Sequence, residues 1–152
     1  MFRGVSTLNL DAKGRMTMPT KYRERLEAQS NGQLIITIDP EDRCLWLYPL
    51  PVWEGIERSL DSLPSLDKGS RRMQRLLIGH ATECDLDSQG RMLLPPPLRE
   101  FAKLDKQIVL IGQGKKFEVW DELTWAERRN KWLNEDMEDY RELSDDMKKL
   151  SL

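Results

Sequence analysis

The sequence predicts a mainly β protein with flanking helices, built from two copies of one unit. Three observations support this fold class: an internal repeat, short β-branched runs between turn residues, and helical spacing of apolar residues after each run. The 152 residues are 39% apolar and 33% charged, enough to bury one shared core. Because four short strands alone leave open edges and an uncovered face, we expect one interlocked β-barrel-like core.

The internal repeat is clearest between residues 10–24 and 86–100. The two segments match at 8 of 15 positions without a gap, where unrelated sequences would match at about one. Similarity continues from Gln33 and Gln107 into the following apolar runs. The chain is therefore predicted to contain two copies of a unit of about 50 residues.

Each unit begins with alternating apolar and polar residues around an Asp-x-x-Gly sequence, Asp11–Gly14 in the first unit and Asp87–Gly90 in the second. This pattern predicts a hairpin in which the Asp side chain caps the turn and Gly adopts a positive φ. Pro19 and Pro95 then end a strand, and a short helix follows, since Pro is accepted in a first helical turn.

Further strands and helices follow in both units. β-branched runs bounded by turn residues predict strands over 33–38, 44–48, 107–111 and 116–120. Apolar spacing predicts helices over 51–61, 71–80 and 122–133, with a breaker-rich linker over 62–70. The predicted domain boundaries are 5–52 for the first repeat, 53–80 for a helical connector, 81–124 for the second repeat and 125–152 for a C-terminal helix and acidic tail.

Candidate catalytic and metal-binding residues are few. His80 is the one histidine and has helical spacing to Leu76 and Leu77, which favours a structural role. Cys44 and Cys84 lie in predicted strands, which favours buried, inert thiols, and too few ligands are present for a structural zinc site. No nucleophile elbow, Walker loop or dinucleotide fingerprint occurs. We therefore expect neither an enzyme nor a bound metal or cofactor.

Charge is unevenly distributed along the chain. The net charge is −2, yet residues 1–25 contain six basic and two acidic side chains, whereas residues 126–152 contain six basic and eight acidic ones. A local basic face is what contact with phosphates requires, so the acidic overall composition does not exclude a nucleic-acid partner.

The repeated turn ends in an arginine, Arg15 in the first unit and Arg91 in the second. Strand alternation places each arginine on the face opposite Met16 or Met92, where a planar guanidinium can make bidentate contacts with phosphate or guanine. The alternative is that Asp and Arg simply pair within the turn and bind nothing. Lys13 adds a second cation to the first turn, whereas Gln89 takes its place in the second.

Several segments together resemble the MraZ family, bacterial proteins with two AbrB-like (SpoVT–AbrB) repeats. They are the opening Met1-Phe-Arg-Gly, the sequence Leu10-Asp-Ala-Lys-Gly-Arg-Met, the segment Arg75-Leu-Leu-Ile-Gly-His-Ala and the second Asp-Ser-Gln-Gly-Arg-Met. The resemblance extends to about Trp125. It implies a DNA-binding transcriptional regulator, usually a repressor of its own gene and of the adjacent division and cell-wall cluster. It also implies a pseudo-two-fold swapped-hairpin AbrB-like β-barrel, assembled into rings of several subunits.

The resemblance places the Asp-x-x-x-Arg motifs at the DNA surface. The residues expected to contact DNA are Arg15, Lys13, Arg3, Lys21 and Arg91. The residues expected to shape the turns are Asp11, Gly14, Asp87 and Gly90. Lys21 and Arg23, on the helix after Pro19, could contact phosphates or face neighbouring subunits.

The expected partners are promoter DNA with repeated boxes and further copies of the chain in a ring. The helices over 51–61 and 122–133 are candidate ring surfaces, although Trp53 and Trp125 are expected in the core. We expect a cytoplasmic, nucleoid-associated protein with no membrane contact. The alternative function is an AbrB-fold, antitoxin-like module that binds a protein partner without specific DNA binding.

Overall fold

The computed structural model describes residues 1–135 and 145–151. They divide into two compact units, Met1–Glu122 and Leu123–Leu152. The strands of the first unit are β1 Phe2–Asn9, β2 Arg15–Thr17, β3 Leu34–Ile38, β4 Leu45–Pro49, β5 Thr82–Glu83, β6 Arg91–Leu93, β7 Gln107–Gly114 and β8 Lys116–Asp121. Its helices are α1 Thr20–Ser30, α2 Leu50–Asp61, α3 Lys68–Met73, which continues into a π-helical turn over Gln74–Ile78, and α4 Pro96–Phe101.

The strands form a six-stranded antiparallel sheet and a separate two-stranded ribbon. The sheet order is β1-β7-β8-β4-β3-β5, and the ribbon pairs β2 with β6. The first strand of each repeat pairs with the third strand of the other, β1 with β7 and β5 with β3, while β4 pairs with β8 between them. The fold is therefore mixed α/β, with the two repeats interleaved.

Strand pairing corrects the hairpin expected at each Asp-x-x-Gly turn. The strands on either side of the first turn do not pair with one another, since β1 pairs with β7 and β2 with β6. The N–H of Leu10 donates to the carbonyl of Lys106 at 2.8 Å, so the first strand stays with the other repeat up to the turn. Pairing β1 with the eight residues of β7 satisfies more backbone groups than a three-residue partner could.

The closed barrel and its swapped-hairpin form are not confirmed. Within the described residues β1 and β5 are the two edges of the six-stranded sheet, and they do not pair with each other. β5 has only two residues, Thr82 and Glu83, and both are exposed. A strand this short offers too few backbone groups to close the sheet on itself.

One core is shared by both repeats. Its buried side chains include Met16, Leu34 and Leu45 from the first repeat and Met92 and Phe117 from the second. A smaller cluster between α2 and the sheet is formed by Ile35, Tyr48, Trp53 and Leu77. Burial of Trp53 confirms the prediction made for that residue. Because apolar residues of both repeats pack together, neither could bury its face alone.

The connector helix begins earlier than predicted. Asp67 accepts a hydrogen bond from the N–H of Ser70 at 2.9 Å, an N-cap that starts α3 at Lys68 rather than at residue 71. The predicted helix over 51–61 is confirmed as α2, and Pro51 lies in its first turn.

The second unit contains α5 Glu122–Asn134, apart from its first residue, and α6 Asp145–Lys148. On α5 the ring centroids of Trp125 and Trp132 are 6.0 Å apart, and the Arg128 guanidinium lies 5.2 Å from the Trp132 ring. Trp125, expected in the core, is half-buried. Residues 136–144 and 152 of the predicted acidic tail lie outside the described residues. None of the helices in the described ranges is long and apolar enough to span a bilayer.

Candidate nucleic-acid interface

The first turn, Asp11–Arg15, is closed by one carboxylate. Oδ1 of Asp11 accepts from the backbone N–H groups of Lys13 and Arg15, both at 2.9 Å, and Oδ2 accepts from Nε of Arg15 at 2.7 Å. Gly14 has φ of +82° and donates its N–H to the Asp11 carbonyl at 3.0 Å. The predicted Asp cap and left-handed Gly are thus confirmed.

The second turn, Asp87–Arg91, repeats this geometry. Oδ1 of Asp87 accepts from the N–H groups of Gln89 and Arg91 at 2.9 Å, and Oδ2 accepts from Nε of Arg91 at 2.9 Å. Gly90 has φ of +75°. The two copies of the motif therefore build the same turn, although Lys13 is replaced by Gln89.

Hydrogen bonding lowers the pKa of both turn carboxylates. The backbone N–H of Arg15 is the main cause that holds the pKa of Asp11 below its ordinary value, and the Arg15 guanidinium adds to it. The N–H and guanidinium of Arg91 lower the pKa of Asp87 in the same way. At neutral pH each turn therefore holds a carboxylate–guanidinium pair.

The pairing leaves one edge of each arginine available. Arg15 donates from Nε to Asp11, and Arg91 donates from Nε to Asp87. In the described part of the chain, neither of the two terminal amino groups of each arginine donates a hydrogen bond to protein. Their side chains are 29% and 34% exposed. The ion pair alone therefore does not imply that the turn binds nothing, because a guanidinium held at Nε still presents two amino groups in one plane.

The ribbon formed by β2 and β6 brings the two arginines onto one face. Met16 lies opposite Met92, Arg15 opposite Leu93, and Thr17 opposite Arg91. The methionines are buried, so strand alternation directs Arg15 and Arg91 to the other face, as predicted. The arginines occupy opposite ends of the same three-residue ribbon.

Each turn is also contacted by an arginine of the opposite repeat. Arg99 on α4 lies against the first turn, where a Cβ built on Gly14 would be 2.4 Å from its Cζ. Arg23 on α1 lies against the second turn, where a Cβ built on Gly90 would be 2.4 Å from its Nε. No role was predicted for Arg99 from the sequence. The available signal was that Arg23 and Arg99 occupy matching positions of the repeat.

Arg3 and Lys21 form a separate basic group. Both are exposed; the Lys21 ammonium lies 4.9 Å from the Tyr22 ring centre, and the Tyr22 hydroxyl donates to the Arg3 carbonyl. Arg3 lies near the start of β1, so a strand rise of 3.3 Å per residue separates it from the first turn by roughly 20–25 Å. The structure therefore brings together the turn residues and sets these two apart.

The remaining candidate side chains have structural contacts. Nδ1 of His80 lies 2.8 Å from the Leu76 carbonyl, one helical turn back. Cys84 is buried and donates to the Leu93 carbonyl at 3.0 Å, and burial raises the pKa of its thiol to about 12. These contacts agree with structural roles.

Asp39, Cys44 and Glu118 place three potential ligand atoms within 4.8 Å of one another. Cys44 donates its S–H to Asp39 Oδ2 at 3.5 Å, and burial raises the pKa of this thiol well above its ordinary value. Glu118 accepts from Nε1 of Trp120 at 3.1 Å, and burial raises its pKa. The polar atoms of this group are thus hydrogen-bonded to one another, as in Cys44 and Asp39, or to a neighbour, as in Glu118 and Trp120.

The fold and its turns define a class: a duplicated α/β protein whose interleaved repeats present two matched Asp–Arg turns on one ribbon. The family described as "MraZ protein, putative antitoxin-like" matches residues 1–76 and again residues 77–146. The second match begins 76 residues after the first, the same offset as between Asp11 and Asp87.

Individual relatives agree with the family match. The protein named "Transcriptional regulator MraZ" from Thioalkalivibrio sulfidiphilus is 60% identical over 138 residues, 91% of each chain. Proteins of the same name from Halorhodospira halophila and Coxiella burnetii are 54% and 50% identical over the full length of both chains. The chain belongs to the MraZ family, a family of transcriptional regulators.

Proposed function

We propose that this protein regulates transcription by binding double-stranded DNA sequence-specifically through the outer face of the β2–β6 ribbon. The observation that carries the proposal is the pair Arg15 and Arg91: each is fixed at Nε by an aspartate, and within the described residues the terminal amino groups of neither donate a hydrogen bond. Two arginines held this way on one narrow surface suit recognition of base edges better than diffuse attraction of phosphates.

The two-stranded form of the ribbon suits the major groove. The major groove of B-DNA accepts a two-stranded β-ribbon, and arginine makes bidentate contacts with O6 and N7 of guanine there. Arg15 and Arg91 start their strands at opposite ends of the ribbon, so they would address different base pairs. Asp11 and Asp87 fix the orientation of the arginines and do not themselves touch DNA.

The other basic residues would contact phosphates. Lys13 is exposed beside Arg15 in the first turn, where its ammonium adds a sequence-independent contact. Arg3, roughly 20–25 Å from that turn along β1, and Lys21, whose ammonium lies near Gly4, would meet the DNA backbone beyond the base contacts. Gln89 gives the second turn no matching charge, so the first turn should contribute more to affinity.

Affinity would come from several subunits acting together. One ribbon contacts few base pairs, whereas a ring that presents several ribbons to repeated promoter boxes one helical turn apart binds by avidity. An apolar groove of about 1130 Å³ is lined by α2 residues, including Val52 and Ile56, and by Met1 and Phe2. We propose this groove as the contact with a second copy in the ring.

The regulatory outcome we propose is repression of the protein's own gene and of the adjacent division and cell-wall genes, as the family resemblance implies. Such a repressor would be cytoplasmic and associated with the nucleoid. The alternative, an antitoxin-like module that binds a protein, shares the fold but does not need unbonded arginine edges on the ribbon.

Fluorescence anisotropy across a salt series tests the proposal. The probes are a labelled duplex from upstream of the protein's own gene and a scrambled duplex of equal composition. We expect the upstream duplex to bind more tightly, and log affinity to fall linearly with log salt by about 0.9 for each phosphate contacted. Equal affinity for both duplexes at every salt concentration would exclude specific DNA binding and favour the protein-binding alternative.

A further inference from the structure

We infer that Arg23 and Arg99 are positioning residues that each set the DNA-binding turn of the opposite repeat. The inference rests on the proposed function, because it concerns how the turns are held for recognition. Its basis is the crossed pattern of contacts between the repeats: the arginine of the second repeat contacts the first turn, and that of the first repeat contacts the second turn.

Arg99 fixes the first turn from the second repeat. Its Nε donates to the carbonyl of Leu94 at 2.9 Å, which anchors the guanidinium at the end of β6. The anchored group fills the space where a side chain at Gly14 would stand, 2.4 Å from Cζ. The N–H of Leu94 in turn donates to the Gly14 carbonyl at 3.1 Å. Gly14 is therefore held through its carbonyl and covered on its Cα by residues of the other repeat.

Arg23 fixes the second turn in the same way from the first repeat. Its Nε donates to the carbonyl of Met18 at 2.7 Å, and a Cβ at Gly90 would lie 2.4 Å from that nitrogen. The N–H of Met18 donates to the Gly90 carbonyl at 2.8 Å. The same three contacts therefore occur at both turns, so a chance contact at one turn does not explain the pattern.

The consequence lies one residue further along each turn. Arg15 follows Gly14, and Arg91 follows Gly90, so a displaced glycine moves the arginine that would meet the base. Arg23 and Arg99 are both half-buried, and each donates a hydrogen bond from Nε. A planar guanidinium can lie flat on a glycine while donating from Nε, whereas a lysine ammonium cannot do both. The role therefore depends on shape as well as on charge.

A double-variant cycle on the full-length protein tests the crossed pattern. Affinity for the upstream duplex is measured for Arg99→Gln alone, with Arg15→Ala, and with Arg91→Ala. We expect Arg99→Gln alone to weaken specific binding about tenfold. In the Arg15→Ala background it should cause little further loss of affinity, whereas in the Arg91→Ala background the two losses should multiply. Arg23→Gln should instead be coupled to Arg91→Ala and independent of Arg15→Ala. Independent, multiplicative effects in every combination would overturn the inference, as would coupling of Arg99 to Arg91 instead of Arg15.

Two further measurements separate positioning from general stability and from the proposed function. Arg99→Lys keeps the charge and should remain impaired; full rescue by lysine would show that charge alone matters. Without DNA, the amide NMR signal of Gly14 should shift in Arg99→Gln or Arg99→Lys while that of Gly90 stays in place. Equal shifts at both glycines would contradict crossed positioning. Because this signal needs no DNA, it still decides the contact if the wild-type protein binds no duplex specifically.

Discussion

Met16 of the first repeat lies directly opposite Met92 of the second on the β2–β6 ribbon, and both side chains are buried. This pair joins the two repeats at the centre of the ribbon. It also determines where the arginines lie, because Arg15 and Arg91 precede the methionines by one residue and so occupy the opposite face. Core packing and the proposed DNA surface are thus two faces of the same three-residue strands.

The two turn arginines should differ in importance. Arg15→Ala should abolish most specific binding, a loss of roughly 1–3 kcal/mol for each bidentate base contact, while leaving the proposed ring intact. Arg91→Ala should lose less, because Gln89 supplies no charge beside it. Anisotropy with upstream and scrambled duplexes at one salt concentration measures both, with the exposed Arg72→Ala on α3 as a matched control. A larger loss for Arg91→Ala would reverse our ranking of the turns.

Gly14→Ala should destabilise the protein. A left-handed backbone costs a non-glycine residue roughly 1–2 kcal/mol, and the new methyl group would also displace the Arg99 guanidinium. Gly55→Ala is the control, since Gly55 lies within α2 and a Cβ there would be no closer than 3.9 Å to Arg58. That control should be neutral or stabilising by up to about 1 kcal/mol. Urea unfolding compares the two variants, and equal stability would contradict the turn geometry.

The turns should be insensitive to pH above the ordinary range of aspartate titration. The pKa values of Asp11 and Asp87 lie below their ordinary 3.8. The contribution of the two carboxylates to folding stability is therefore complete above that pH, and it is lost as pH falls through their lower pKa values in the folded protein. Carboxyl ¹³C NMR titration should give midpoints below 3.8 for both residues. In Arg15→Ala the pKa of Asp11 should rise only partway, because the backbone N–H remains. A midpoint at or above 3.8 in the wild type would refute the hydrogen-bonded turn.

Both thiols should be unreactive in the native protein. Cys44 and Cys84 are buried, and burial raises the pKa of each thiol, that of Cys84 to about 12, so little thiolate forms at pH 8. A disulfide reagent should therefore modify them at the rate of unfolding, and quickly in denaturant. Rapid stoichiometric reaction of the native protein would show that the chain opens locally just before β4, at Cys44, or just after β5, at Cys84.

The turns were predictable because their determinants are local. An Asp four residues before an Arg, with Gly between them, specifies the cap, the positive φ and the outward arginine, and the structure has all three in both repeats. Helix α2 and the apolar strands likewise followed from spacing within short windows.

The strand partners were not predictable, because the two repeats have the same pattern. A strand such as β2 can pair within its own unit or with the equivalent strand of the other unit, and alternation fits both equally. The structure pairs β2 with β6, so the expected hairpin was wrong. The contact of Arg99 with Gly14 was missed for the same reason, since it joins residues 85 positions apart.

Dimethyl sulfate footprinting of the upstream duplex tests the central claim most directly, because the reagent methylates N7 of guanine in the major groove and N3 of adenine in the minor groove. If the ribbon enters the major groove, guanines of the repeated boxes should be protected at N7 by the wild-type protein. That protection should be lost with the Arg15→Ala/Arg91→Ala variant and kept with Arg72→Ala. Specific binding without N7 protection, or protection confined to adenine N3, would contradict the account.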